Sequence, residues 1–152
     1  MSTTISSRAM RGGLLVLACI ALAACDEKLS DVTGPTPELQ PTFTSIQSQI
    51  FEASDSSGRT ACVSCHAPGR IAAFMDLTRG AAYDSLVNRP SIQKTGAIRV
   101  IPGDPDNSYL IHKLEGRPDI VGARMPQNGP PFLTDGQIAV IRQWIANGAA
   151  NN

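Results

Sequence analysis

The chain has 152 residues, a length that suits one domain, and carries thirteen basic and thirteen acidic side chains. No basic stripe runs through it, which argues against a nucleic-acid partner. Aromatic residues are few, with a single tryptophan at Trp144, so a domain of this size has a thin core.

The first two dozen residues stand apart from the rest. Arg8 and Arg11 give a positive start, and Gly12 to Ala24 is an apolar run of thirteen residues. That length suits the core of a signal peptide and is too short to cross a bilayer as a mature helix. The run ends in Leu22-Ala23-Ala24-Cys25, which resembles the lipobox of bacterial lipoproteins. The resemblance implies cleavage before Cys25, a diacylglycerol on its thiol and an acylated N-terminus, since a single chain anchors only marginally. The alternative is an ordinary secretory signal with an incidental cysteine. Residues 1–24 are therefore expected to be a signal peptide. Losing Arg8 and Arg11 with them leaves eleven basic against thirteen acidic residues, a formal charge of −2. The expected location is outside the cytoplasm, lipid-anchored to a bacterial membrane and facing the periplasm or the cell exterior.

From Asp26 to Pro41 the chain is polar and dotted with proline, which predicts a flexible tether over residues 25–41. Residues 42–152 then form the domain. Phe43, Ile46, Ile50 and Phe51 fall at helical spacing and predict a first helix over Thr44 to Ala53, broken by Asp55-Ser56-Ser57-Gly58. Thr78 is placed to cap a helix from about Arg79 to Asn88, with Ala82, Leu86 and Tyr83 inward and Arg89-Pro90 as its end. Ile98 to Ile101 is a short apolar stretch. Asp104 and Pro105 read as N-cap and first residue of a third helix that stops at Gly116. Residues 117–133 are an irregular loop rich in Gly and Pro. Thr134-Asp135-Gly136-Gln137 is a capping box opening a last helix with Ile138, Ile141, Trp144 and Ile145 on one stripe and Gly148 at its end. No strand pattern of any strength is present, and the fold expected is small and all-α.

Cys19 leaves with the signal and Cys25 is the lipid site, so the domain keeps only Cys62 and Cys65, too close together to staple distant segments. They belong to Cys62-Val63-Ser64-Cys65-His66, a C-x-x-C-H sequence and the signature of c-type haem attachment. Two thiols at this spacing can add across the two vinyl groups of one haem edge, and the histidine that follows then lies under the iron. Two other readings of a C-x-x-C exist. A thioredoxin-like redox pair needs a β-α-β surround that is missing here, and half a zinc site needs a second cysteine pair.

From Ala61 to Ala149 the chain resembles single-haem c-type cytochromes of the mitochondrial-cytochrome-like class. It is especially similar to the cytochrome c domains of bacterial lipoproteins and planctomycete-type proteins. Besides the haem motif, the resemblance rests on Pro102-Gly103-Asp104-Pro105, on Met125-Pro126, and on Trp144 followed by Gly148-Ala149. It implies a small all-α cytochrome c-like fold of about four to five helices around one covalent haem c, and a crossing of first and last helices where Phe51 and Trp144 pack together. The implied haem-binding residues are Cys62 and Cys65, with His66 as one axial ligand of the iron.

Three residues compete for the second axial position, which His/Met ligation would fill with a thioether. Met75 lies nine residues after His66, a segment that spans only about 30 Å when fully extended and must turn around the macrocycle edge. Met125 lies 59 residues away in the late loop, held out of helix by Pro126. His112 sits mid-helix. The reading favours Met125, with Tyr109, Arg99 and Arg124 as weaker candidates for the haem propionates. A six-coordinate iron leaves no open site for substrate, so the expected function is carriage of single electrons, not catalysis, between redox protein partners in or near the membrane. The alternatives are a ligand-binding sensor, in which a weak Met125–iron bond yields to a gas, and a relay subunit of a larger membrane redox complex.

Overall fold

A computed structural model describes residues 38–152, apart from the side chains of Ile71 and Ala73. The signal-like run, the lipobox cysteine Cys25 and the tether as far as residue 37 lie outside the described residues. Among these the chain is helix-rich with little strand. The helices are α1, which runs as α-helix over Phe43–Ile46 and continues as π-helix over Gln47–Phe51, then α2 (Ala82–Leu86), α3 (Tyr109–Glu115) and α4 (Asp135–Ala146). Short 3-10 turns cover Cys62–Ser64 and Ala72–Phe74.

The wide π-turn explains an oddity of the first apolar stripe. Ile50 and Phe51 are sequence neighbours, yet both are buried with Phe43 and Ile46, because the looser winding brings adjacent side chains toward one face. Phe43 stands at the centre of the aromatic packing, with its ring centroid 5.5 Å from Trp144, 5.2 Å from Tyr83 and 6.4 Å from Phe51. Trp144 thus meets Phe43 directly, whereas the sequence suggests Phe51 as its partner. Tyr83 donates its hydroxyl to the carbonyl of Ala149, and the Trp144 indole donates to Ala150, so both polar tips are satisfied. Leu39, expected at the end of the tether, is buried in the same core, so the packed body reaches back into that segment.

Local signals set the helix ends. Thr134 and Gln137 form the capping box of α4 in both directions, and Gly116 ends α3 in the left-handed conformation. Two starts fall later than expected. The Thr78 hydroxyl donates to Asp76, and Gly80 takes a positive φ of 88°, so α2 begins only at Ala82. Asp104 caps a single turn by accepting from the Asn107 amide, and the extended backbone of Ser108 delays α3 to Tyr109.

One feature has no strong sequence signal. A hairpin pairs β1 (His66–Ala67) with β2 (Arg70–Ile71), His66 opposite Ile71, across a turn at Pro68-Gly69. Further along, Val100 accepts from Asn88 and donates to Leu86, while Tyr109 and Leu110 donate to Ile98 and Arg99. The short apolar stretch 98–101 is therefore stitched to the end of α2 on one side and to the start of α3 on the other.

Candidate functional site

The 3-10 turn at Cys62–Ser64 closes with the Cys65 amide donating to the Cys62 carbonyl at 3.2 Å, and the chain enters β1 at the next residue. This places Cys62, Cys65 and His66 together on the wall of a cavity of about 400 Å³. Both thiols are free, Cys62 half-buried and Cys65 exposed. The Cys62 thiol lies 3.5 Å from the carbonyl of Ile50. Burial pushes its pKa up, against the pull of the nearby Arg59 charge.

His66 is buried, with Nδ1 2.9 Å from the Ala72 carbonyl. Burial pushes the imidazole below its ordinary pKa of 6.5. The carbonyls of Ala72 and Met75 oppose that shift in part, and the cations Arg99 and Lys113 add to it. A proton on Nδ1, donated to Ala72, leaves the lone pair on Nε2, the arrangement in which a histidine serves as a metal ligand.

Met125 lines the same cavity from the late loop, and so does Met75. The two methionines are supported differently. Met75 belongs to the stretch that returns to His66, where the Leu77 amide donates to the His66 carbonyl at 2.8 Å. Met125 is tied to α3, its amide donating to the Lys113 carbonyl at 2.9 Å. His112 is elsewhere. Its Nδ1 is 2.8 Å from the Asp119 carboxylate and its Nε2 is 2.7 Å from the Asp106 carbonyl, so both ring nitrogens are engaged away from the cavity.

The remaining lining is mainly apolar, including Phe51, Leu77, Leu86 and Ile141, and among the described residues its charged members are the cations Arg99 and Lys113. Tyr109 is also on the wall. Arg124 is not: its Nε donates to the Leu114 carbonyl and its guanidinium lies 4.2 Å from the centroid of the Phe132 ring. Among the described residues no group of three or more His, Cys, Asp or Glu side chains is gathered to hold a bare metal ion, and no helix is long and apolar enough to cross a membrane.

Two structural residues of the site escape sequence reasoning. Arg59 is fully buried and donates to the carbonyls of Ile50, Ala53 and Thr60 while pairing with Asp55 at 2.9 Å, which caps the end of α1 directly beneath the cysteine turn. Lys113 is buried too, its ammonium bound by the carbonyls of Val121 and Ala123. The only sequence hint for either is a cation within a stretch of otherwise ordinary residues.

Comparison with family models, with curated proteins and with solved structures returns no significant match to this chain.

Proposed function

We propose that the chain is a c-type cytochrome that carries single electrons, with one covalent haem seated in the cavity of Cys62, Cys65, His66 and Met125. The observation that carries the reading is the convergence of these four residues, one of them 59 positions beyond His66 in sequence, on one mainly apolar cavity of about 400 Å³. The donor set fits the group. Two free thiols stand next to a histidine whose Nδ1 meets the Ala72 carbonyl, and a thioether lines the same space from a separate element. Among the described residues no carboxylate lines the cavity while Arg99 does, which suits a ligand that carries acidic side groups.

Haem, when bound, supplies a one-electron iron couple whose reduced state a thioether ligand favours. Cys62 and Cys65 hold it at one edge, His66 offers Nε2, and the Ala72 carbonyl fixes the tautomer and the ring orientation. Met125 is preferred over Met75 because it comes from the α3-supported loop, whereas Met75 is tied to the segment of His66 itself. If His66 and Met125 were both bound to the iron, no site would remain open for a substrate. On this reading the four helices and the small hairpin form a cytochrome c-like fold around the haem. Cys25 carries a lipid anchor, and the tether lets the domain reach redox partners at the membrane. The test is an optical spectrum of purified protein, oxidised and reduced, with and without CO. A low-spin spectrum that resists CO supports a carrier; immediate CO binding favours a ligand-binding sensor instead.

A further inference from the structure

We propose that Lys113 is a positioning residue that clamps the Met125 loop and so holds the thioether in place. Between Glu115 and Asp135 the chain has no helix or strand, and the stretch 121–125 takes much of its support from α3. The Lys113 ammonium donates to the carbonyls of Val121 at 2.9 Å and Ala123 at 2.6 Å, while the Lys113 carbonyl accepts from the Met125 amide at 2.9 Å. One residue thus grips the loop from both its side chain and its backbone. Its neighbours extend the grip. The Tyr109 hydroxyl accepts from the Val121 amide at 2.9 Å, and the Leu114 carbonyl accepts from Arg124 Nε at 2.7 Å. Gly116 leaves room for the Arg124 stem, because a Cβ there would stand 2.8 Å from its Cδ.

The arrangement solves two problems at once. The last carbonyls of a helix lack partners within it, and Lys113 and Leu114 find theirs in the loop. The loop's own carbonyls find theirs in the ammonium. A buried ammonium is costly to desolvate, and Lys113 is only 6 % exposed. Among the described residues no carboxylate is paired with it; backbone dipoles from the segment leading into Met125 take its charge. A leucine or methionine would fill the same space at lower cost but would leave Val121 and Ala123 untied.

The inference rests on the haem reading for its consequence at the iron, though the clamp is a property of the chain alone. The experiment uses the full chain with haem attached, in three variants. Lys113→Met keeps the bulk and removes the donors. Tyr109→Phe removes one acceptor and is milder. Thr134→Ala weakens the α4 cap and serves as a control for general destabilisation. Amide hydrogen exchange at Met125 should quicken about tenfold in Lys113→Met and less in Tyr109→Phe, while exchange at Val121 should quicken most in Tyr109→Phe, which removes that amide's own acceptor, with no local change at either in Thr134→Ala. The far-red sulfur-to-iron band should weaken and CO binding should rise in the same order, while the haem stays covalently attached in all three. Unchanged exchange at Met125 in Lys113→Met overturns the clamp whatever the haem does. Quickened exchange with an undiminished band overturns the positioning role. A wild-type protein with no far-red band at all overturns the Met125 ligation, and with it the role of Lys113 toward the iron.

Discussion

The Nδ1 of His66 lies 2.9 Å from the carbonyl oxygen of Ala72, six residues along the chain. The hairpin between them makes the contact possible by turning the chain back at Pro68-Gly69, so the acceptor is backbone, which no side-chain substitution removes. His66→Ala should therefore lose the imidazole that the fold orients, and haem-loaded protein should shift from a low-spin to a high-spin optical spectrum. A wild-type spectrum in His66→Ala would show that another group binds the iron.

On the proposed His/Met ligation, Met125→Ala should abolish the far-red band, lower the reduction potential and admit CO, because a thioether ligand favours reduced iron. Met75→Ala tests the other methionine on the cavity wall and should leave the band intact, costing only packing. His112→Ala should also leave it intact, since both its ring nitrogens are engaged by Asp119 and Asp106 outside the cavity. Loss of the band in Met75→Ala would reassign the ligand.

Arg59 makes a prediction that needs no cofactor. Its side chain is fully buried, and Arg59→Ala strips partners from Asp55 and from the carbonyls of Ile50 and Ala53. The chain should lose about 2 kcal/mol of stability, the cost of leaving carbonyls at the end of α1 without their donor. Denaturant unfolding reads it. A loss of a few tenths of a kcal/mol would mean that α1 does not depend on this cap.

Acid should act on Asp119 in a defined window. The hydrogen bond from Lys94 holds its carboxyl down at about 2, against a slight upward push from desolvation and with help from His112. The folded value is below the ordinary 3.8, so the contribution of this carboxylate to stability is complete above that value and is lost as pH falls toward about 2. The side chain is 41 % exposed, so the contribution is a small, salt-screened one. Carbon-detected NMR titration should place the Asp119 midpoint near the lower value and well below that of Asp119 in a Lys94→Met variant; equal midpoints would remove Lys94 as the cause.

How far the sequence reveals this molecule depends on the range of each signal. Capping boxes, terminal glycines and the cysteine-histidine motif are local codes, and Thr134-Gln137, Gly116 and Cys62-Cys65-His66 were all legible as such. The starts of α2 and α3 were not, because Asp76 competes for the Thr78 hydroxyl, and Ser108 spends its own on the Asp104 carbonyl. The stripe of α1 was legible but not its π-turn, nor that Phe43 would stack on Trp144. Arg59 and Lys113 were illegible for a different reason. Each is defined by backbone carbonyls brought near by the fold, and a carbonyl leaves no mark in a sequence.

The anchor can be tested in cells. Cys25→Ser should block lipidation and move the protein from the membrane fraction to the soluble fraction, given that no other apolar stretch in the chain rivals Gly12 to Ala24 in length. A wild-type protein already soluble after export would contradict the anchor while leaving the haem site untouched.

The central claim is that Cys62 and Cys65 hold a haem covalently. Its most direct test is the intact mass of the protein under denaturing conditions, after production in cells able to mature c-type cytochromes. Thioether bonds survive conditions that break iron coordination, so the chain should carry the added mass of one haem. The Cys62→Ser, Cys65→Ser double variant should lack it. A wild-type chain with no added mass and two alkylatable thiols would contradict the account.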